Sequence, residues 1–197
     1  MSRPWLNGEG RINEGGLSSR PSKIEVSTIE IVERYKIWEP TTNAREAVES
    51  VLQSVPDEYL TGLNRIVLTE AGGFNRAARR KKTRHRGKTK NSREAIGSYH
   101  QAWQGQKAYI ELFVDNIVAQ CPKAMKISPL RDLVFADVLF HEIGHHIHIT
   151  GTKVYRERED VADEWMHRLA KTYLRRKWYL RRLAKIFDLN SVLRIRL

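Results

Sequence analysis

The stretch that most constrains this chain is residues 130–150, LRDLVFADVLFHEIGHHIHIT. Leu130, Leu133, Val134, Val138 and Leu139 make the run strongly apolar ahead of its polar end. Ser128-Pro129 opens the run, with Ser128 as N-cap and Pro129 at the first helical position. Gly151 closes it, so the spacing predicts a helix from 128 to about 149. A helix this apolar has to be buried. The imidazoles and the carboxylate within it then need partners, because an unpaired polar group inside a protein costs several kcal/mol, roughly 2–7.

Those polar groups have a pattern. His141 and His145 are four residues apart and so share a helix face, about one turn from each other. Two imidazoles can therefore meet one metal ion. Glu142 lies one residue round from His141. It is badly placed to ligate the same ion, but well placed to take a proton from a water bound there. This is the HExxH pattern of metal-dependent hydrolases. Zinc, one ion per chain, is the metal that this donor set suits, and a catalytic zinc takes three protein ligands and a water.

The third ligand is less obvious. His148 falls on the same face, but seven residues of helix are about 10 Å of rise, too far for one ion with bonds of about 2 Å. The metzincin pattern would need glycine at position 148 and histidine at 151, whereas this chain has His148 and Gly151. His146 points off the 141/145 face, and both His146 and His148 read as core or solvated histidines. A second helix is predicted from about Arg156, and its start is acidic. Glu159 and Asp163 are four apart, with Asp160 and Glu164 as rivals. Acids also gather at helix N-termini on dipole grounds alone.

HEIGH on one helix, followed by the Glu159/Asp163 pair on the next, resembles the gluzincin metallopeptidases. The resemblance covers roughly residues 105–170 and is nearest to minimal, single-domain members. It implies that Glu159 is the third zinc ligand and that Asp163 orients a ligand histidine, His141 or His145. It implies peptide-bond hydrolysis with Glu142 as general base. It also implies an edge strand above the active-site helix, along which an extended peptide or protein substrate pairs. Residues 108–118, AYIELFVDNIV, are the strongest strand candidate and so the expected edge. Tyr155 and His167 are conceivable oxyanion donors, although each reads more plainly as a surface or core residue.

The fold class expected is α+β: a small sheet with an edge strand above the helix that carries HExxH, then a second long helix with the third ligand. Residues 23–35 alternate as a strand would, although a short helix fits them as well, residues 64–70 form a short apolar strand, and Thr41 or Thr42 would cap a helix to about Ser54. Residues 1–22 read as a flexible tail, and 23–197 as one zincin-like domain.

Length and composition set the outer bounds. A chain of 197 residues with 41% apolar residues can bury a substantial core. Cys121 is the lone cysteine, so no intramolecular disulfide forms and no four-cysteine zinc site exists. No stretch approaches the roughly 18 apolar residues of a transmembrane segment, and no signal-peptide core opens the chain, so a cytoplasmic protein is expected. The net charge of +12 is unevenly placed. Residues 75–93 hold ten basic residues and no acid, and residues 165–187 hold eight and no acid. The other 17 basic residues face all 23 acids. The first segment reads as a basic loop and the second as a basic C-terminal helix. Either could meet a nucleic acid or another acidic partner, and the C-terminal helix could instead lie on an anionic membrane. The alternative function is therefore a nucleic-acid-associated binding protein with a structural or vestigial zinc site.

Overall fold

The computed structural model describes residues 29–71, 82–85, 88–91, 95–152, 158–187 and 193. The tail expected at 1–22, the start of the strand expected at 23–35, and Tyr155 lie outside the described residues. The architecture is α+β. In chain order the elements are β1 (Glu30–Arg34), α1 (Ala44–Leu52), β2 (Leu63–Thr69), β3 (Lys82–His85), β4 (Lys88–Asn91), β5 (Gly97–His100), β6 (Ala108–Phe113), α2 (Val114–Gln120), α3 (Ser128–Thr152), α4 (Glu159–Arg176) and α5 (Tyr179–Ile186).

Four strands form one sheet in the order β1-β2-β6-β5. The pairs β1/β2 and β2/β6 are parallel, and β5/β6 is antiparallel. The parallel pair β1/β2 needs a crossover, and α1 supplies it. Ala44, Ala47, Val48 and Val51 recur along one face of α1, and all are at most 1% exposed. That face packs on α3. Asn43 caps α1, its side chain accepting from the Glu46 backbone N–H at 3.0 Å. The cap is thus Asn43 rather than Thr41 or Thr42; an Asx side chain reaches the open N–H groups of a first turn well.

The strand expected over 108–118 divides. It is β6 to Phe113, after which Val114 begins α2. The alternation that marks a half-covered strand is real in β6, where Ala108, Ile110 and Leu112 are buried and Tyr109 and Glu111 are not. It carries no information on neighbours, however. β6 lies between β2 and β5, so it is an interior strand. The edge strands of this sheet are β1 and β5, and β5 is the edge that packs on α3, so the expectation that 108–118 forms the edge is corrected. A four-residue strand that starts with glycine has too little alternation to stand out in a sequence. Its pairing comes from a hairpin tip at Trp103–Gln106, where Gln104 (φ 45°) and Gly105 (φ 84°) both take positive φ and the Trp103 and Gln106 backbones exchange hydrogen bonds.

α3 is the axis of the molecule. Its 25 residues run about 37 Å at 1.5 Å each. Every residue from Leu130 to His146 is buried. Helices α1, α4 and α5 and strands β5 and β6 surround it. This is why its pattern is apolar on all sides and not only on one face. The Ile127 carbonyl accepts from both Leu130 and Arg131, so Ser128 sits inside the first turn and not at its cap. At the far end the helix passes through Gly151 to Thr152. Thr150 and Thr152 donate their hydroxyls back to the His146 and His148 carbonyls, one turn earlier in the helix.

Two basic segments differ from expectation. In place of a plain loop, the described part of 75–93 is an antiparallel ribbon, β3 with β4. The basic C-terminal helix over 165–187 is two helices, α4 and α5, broken at Lys177 and Trp178. Cys121 is 5% exposed, and burial together with nearby Asp137 pushes its thiol pKa up. Among the described residues, no helix is long and apolar enough to cross a membrane.

Candidate metal centre

α4 lies against α3, and the approach is close at one point. A Cβ placed on Gly144 would sit 2.6 Å from the Ala162 carbonyl oxygen and 2.9 Å from the Ala162 Cα. Only a residue without a side chain fits there. Ala162, 0% exposed, is the small residue on the other side. Glu159 and Asp163 flank Ala162 by one turn or less, so this contact sets them beside the His141/His145 face.

His141, His145 and Glu159 come together, with one ligand atom from each lying within 4.8 Å of the others. His141 Nε2 is 3.3 Å from Glu159 Oε2, and His145 Nε2 is 3.9 Å from Glu159 Oε1. The two imidazoles stand at right angles, with ring centres 4.9 Å apart. Both are at most 4% exposed. The remaining nitrogen of His141, Nδ1, is 3.1 Å from Asp163 Oδ1. A hydrogen on Nδ1 would face this carboxylate and leave the Nε2 lone pair to the Glu159 side, the tautomer that a metal-binding histidine needs.

The rival carboxylates lie elsewhere. Asp160 is exposed and pairs with Arg158; Glu164 is exposed and pairs with Arg168. Neither belongs to the cluster.

Glu142 is 6% exposed and lies under the edge strand. A Cβ on Gly97, the first residue of β5, would come 2.7 Å from Glu142 Oε1 and 2.9 Å from Val138 Cγ1. The carboxylate thus reaches the strand backbone, and Gly97 makes the space for it. Gly97 and Gly144 were missed as site residues by sequence reasoning. The signal for Gly144 was available: a glycine inside a buried helix costs about 1 kcal/mol against alanine and usually marks a close packing contact.

His146 is a core histidine, 0% exposed. Its Nε2 lies 3.0 Å from the Thr61 carbonyl, which accepts, so Nε2 carries the hydrogen. Nδ1 then accepts from the Tyr99 hydroxyl at 3.1 Å. Burial lowers its pKa and keeps the ring neutral. The residue pins β5, through Tyr99, to the back of α3. His148 is also buried rather than solvated, and it takes no part in the three-residue cluster. His167 is half-buried on α4, one turn beyond Asp163.

Three donors of the types His, His and Glu, with a carboxylate behind one histidine, could hold a metal ion. Comparison of the chain with models of known families, with curated proteins and with solved structures gives no match.

Proposed function

We propose that the chain is a zinc-dependent metallopeptidase of minimal gluzincin type. The observation that carries this reading is the convergence of His141 Nε2, His145 Nε2 and the Glu159 carboxylate, with Asp163 on the far nitrogen of His141. A closed structural site takes four protein ligands. Among the described residues only three converge, and Glu142 directly follows His141 along α3. A purely structural site has no use for that carboxylate.

His141, His145 and Glu159 would hold the zinc, which when bound lowers the pKa of a water and polarises a carbonyl. Glu142 accepts the proton of the attacking water on its carboxylate and then hands it to the amine that leaves. Asp163 fixes the His141 tautomer. The outer edge of β5, unpaired among the described residues, offers backbone N–H and C=O groups to an extended peptide, and Gly97 keeps the first of them clear of any side chain above Glu142. The reading sets the enzyme in the cytoplasm, where the lone Cys121 needs no oxidising environment.

The test has two parts. Elemental analysis should find about one zinc per wild-type chain, lost or much weakened in His145→Ala and Glu159→Ala. A peptide library should be cleaved by the wild-type protein and left intact by Glu142→Gln, which keeps its zinc. A folded protein that takes up no zinc when zinc is supplied would refute the reading, as would cleavage by Glu142→Gln at the wild-type rate. In that event the nucleic-acid-associated alternative gains.

A further inference from the structure

The end of α4 and the outer side of α5 carry most of the large apolar side chains that the described residues leave in water. Trp178 is 65% exposed, Tyr179 40%, Ile186 74% and Phe187 36%. α5 is nonetheless seated, because Leu180 and Ala184 are both 0% exposed, one turn apart on its inner face. Around the outer side stand Arg175, Arg176, Arg181, Arg182 and Lys185, all exposed. No acid occurs in residues 165–187.

The order of these residues around the helix narrows the partner. At about 100° per residue, Arg182 falls between Trp178 and Ile186, about 40° from each. A helix that lies on a lipid surface needs an unbroken apolar sector with its cations at the flanks. Here Trp178 stands among the cations, about 20° from Lys185 and about 40° from Arg182, while Leu180 and Ala184 give part of the apolar sector to the protein's own core. Laid flat on a bilayer by its remaining apolar side, α5 would leave the Trp178 indole off the lipid, between an ammonium and a guanidinium. A partner that alternates anionic and flat aromatic groups fits this surface better. Single-stranded nucleic acid does so: its phosphates meet the cations and its unstacked bases meet the indole of Trp178 and the phenol of Tyr179. A duplex keeps its bases stacked and offers the aromatics nothing. We infer that the elbow between α4 and α5 is a docking surface for single-stranded nucleic acid, independently of the metallopeptidase reading.

Fluorescence anisotropy on the full chain tests this. The probes are a labelled oligothymidylate strand, a duplex of the same length, and vesicles rich in phosphatidylserine. The strand should bind more tightly than the duplex. Trp178→Ala should weaken strand binding at least fivefold or so at every salt concentration, since one base stack is lost. Tyr179→Ala provides a second stacking variant. Arg182→Gln with Lys185→Gln should lower the slope of log affinity against log salt by about 1.4, at roughly 0.7 per phosphate of a single strand. Unchanged far-UV dichroism and thermal unfolding keep the comparison to folded protein. No strand binding at low salt overturns the inference. So does duplex binding as tight as the strand, affinity untouched in both aromatic variants, or Trp178-dependent binding to vesicles alone.

Discussion

The His141 ring has a carboxylate at each nitrogen, Glu159 Oε2 3.3 Å from Nε2 and Asp163 Oδ1 3.1 Å from Nδ1. The two carboxylates are not equivalent. Glu159 shares its space with His145, as a ligand would, whereas Asp163 touches only the rear of His141 within this cluster. Asp163→Asn should therefore keep the site and weaken it, with zinc affinity falling about 10- to 100-fold. Competition against a chelator of known affinity measures this. A loss as complete as that of Glu159→Ala would make Asp163 a ligand instead, and no loss would remove it from the site. At this scale much was legible in the sequence, because a helix converts spacing directly into direction. Four-residue intervals put His141 with His145 and Glu159 with Asp163 before any fold is known. What spacing could not choose was which acid of the second helix faces inward. That is decided by the Gly144–Ala162 contact, which turns Glu159 and Asp163 inward and leaves Asp160 and Glu164 to pair with Arg158 and Arg168 at the solvent side.

Two glycines join elements, and they should fail in different ways. Gly144 separates α3 from α4, and the atoms a side chain would meet there are the backbone of Ala162, which cannot swing aside. Gly144→Ala should push α4 outward. It should cost about 1–3 kcal/mol of stability, as overpacking does, and weaken zinc binding because Glu159 and Asp163 travel with α4. Gly97 separates β5 from Glu142 and Val138, which are side chains and can move. Gly97→Ala should therefore keep zinc and most stability, while peptide cleavage drops because the Glu142 carboxylate is displaced. Denaturant melts, zinc content and a peptide assay on the two variants separate these outcomes. Equal effects on zinc in both would mean that the two contacts are not independent. Elements were less legible than residues for a related reason. Alternation in 108–113 shows that one face is covered, but not whether a strand lies on one side or two. The edge strand Gly97–His100 is too short to carry a period at all. The break at Lys177 and Trp178 has no glycine or proline to mark it, so an apolar spacing that ran on from Ala162 to Phe187 read as one helix.

The whole molecule turns on α3, which is buried along nearly its full length and holds both histidines and Glu142. The third donor comes from α4, so the candidate site spans two helices that also share the Gly144–Ala162 contact. Metal binding and the packing of α4 are then one equilibrium. A ligand that binds only the folded state stabilises it by RT ln(1 + [L]/Kd), about 2.7 kcal/mol at a free concentration of 100 Kd. For a chain of this size each kcal/mol moves Tm by about 2–4 °C, so chelation should lower Tm by roughly 6–10 °C from that starting point. Glu142→Gln should show the same shift, since its change touches chemistry and not the donors. His145→Ala should show none, with a Tm already near that of the chelated wild type. Differential scanning calorimetry with and without chelator reads all three proteins. A wild-type Tm that ignores the chelator would mean that α4 packs on α3 without help from any metal. In that case His141, His145 and Glu159 would be held together by α3–α4 packing alone.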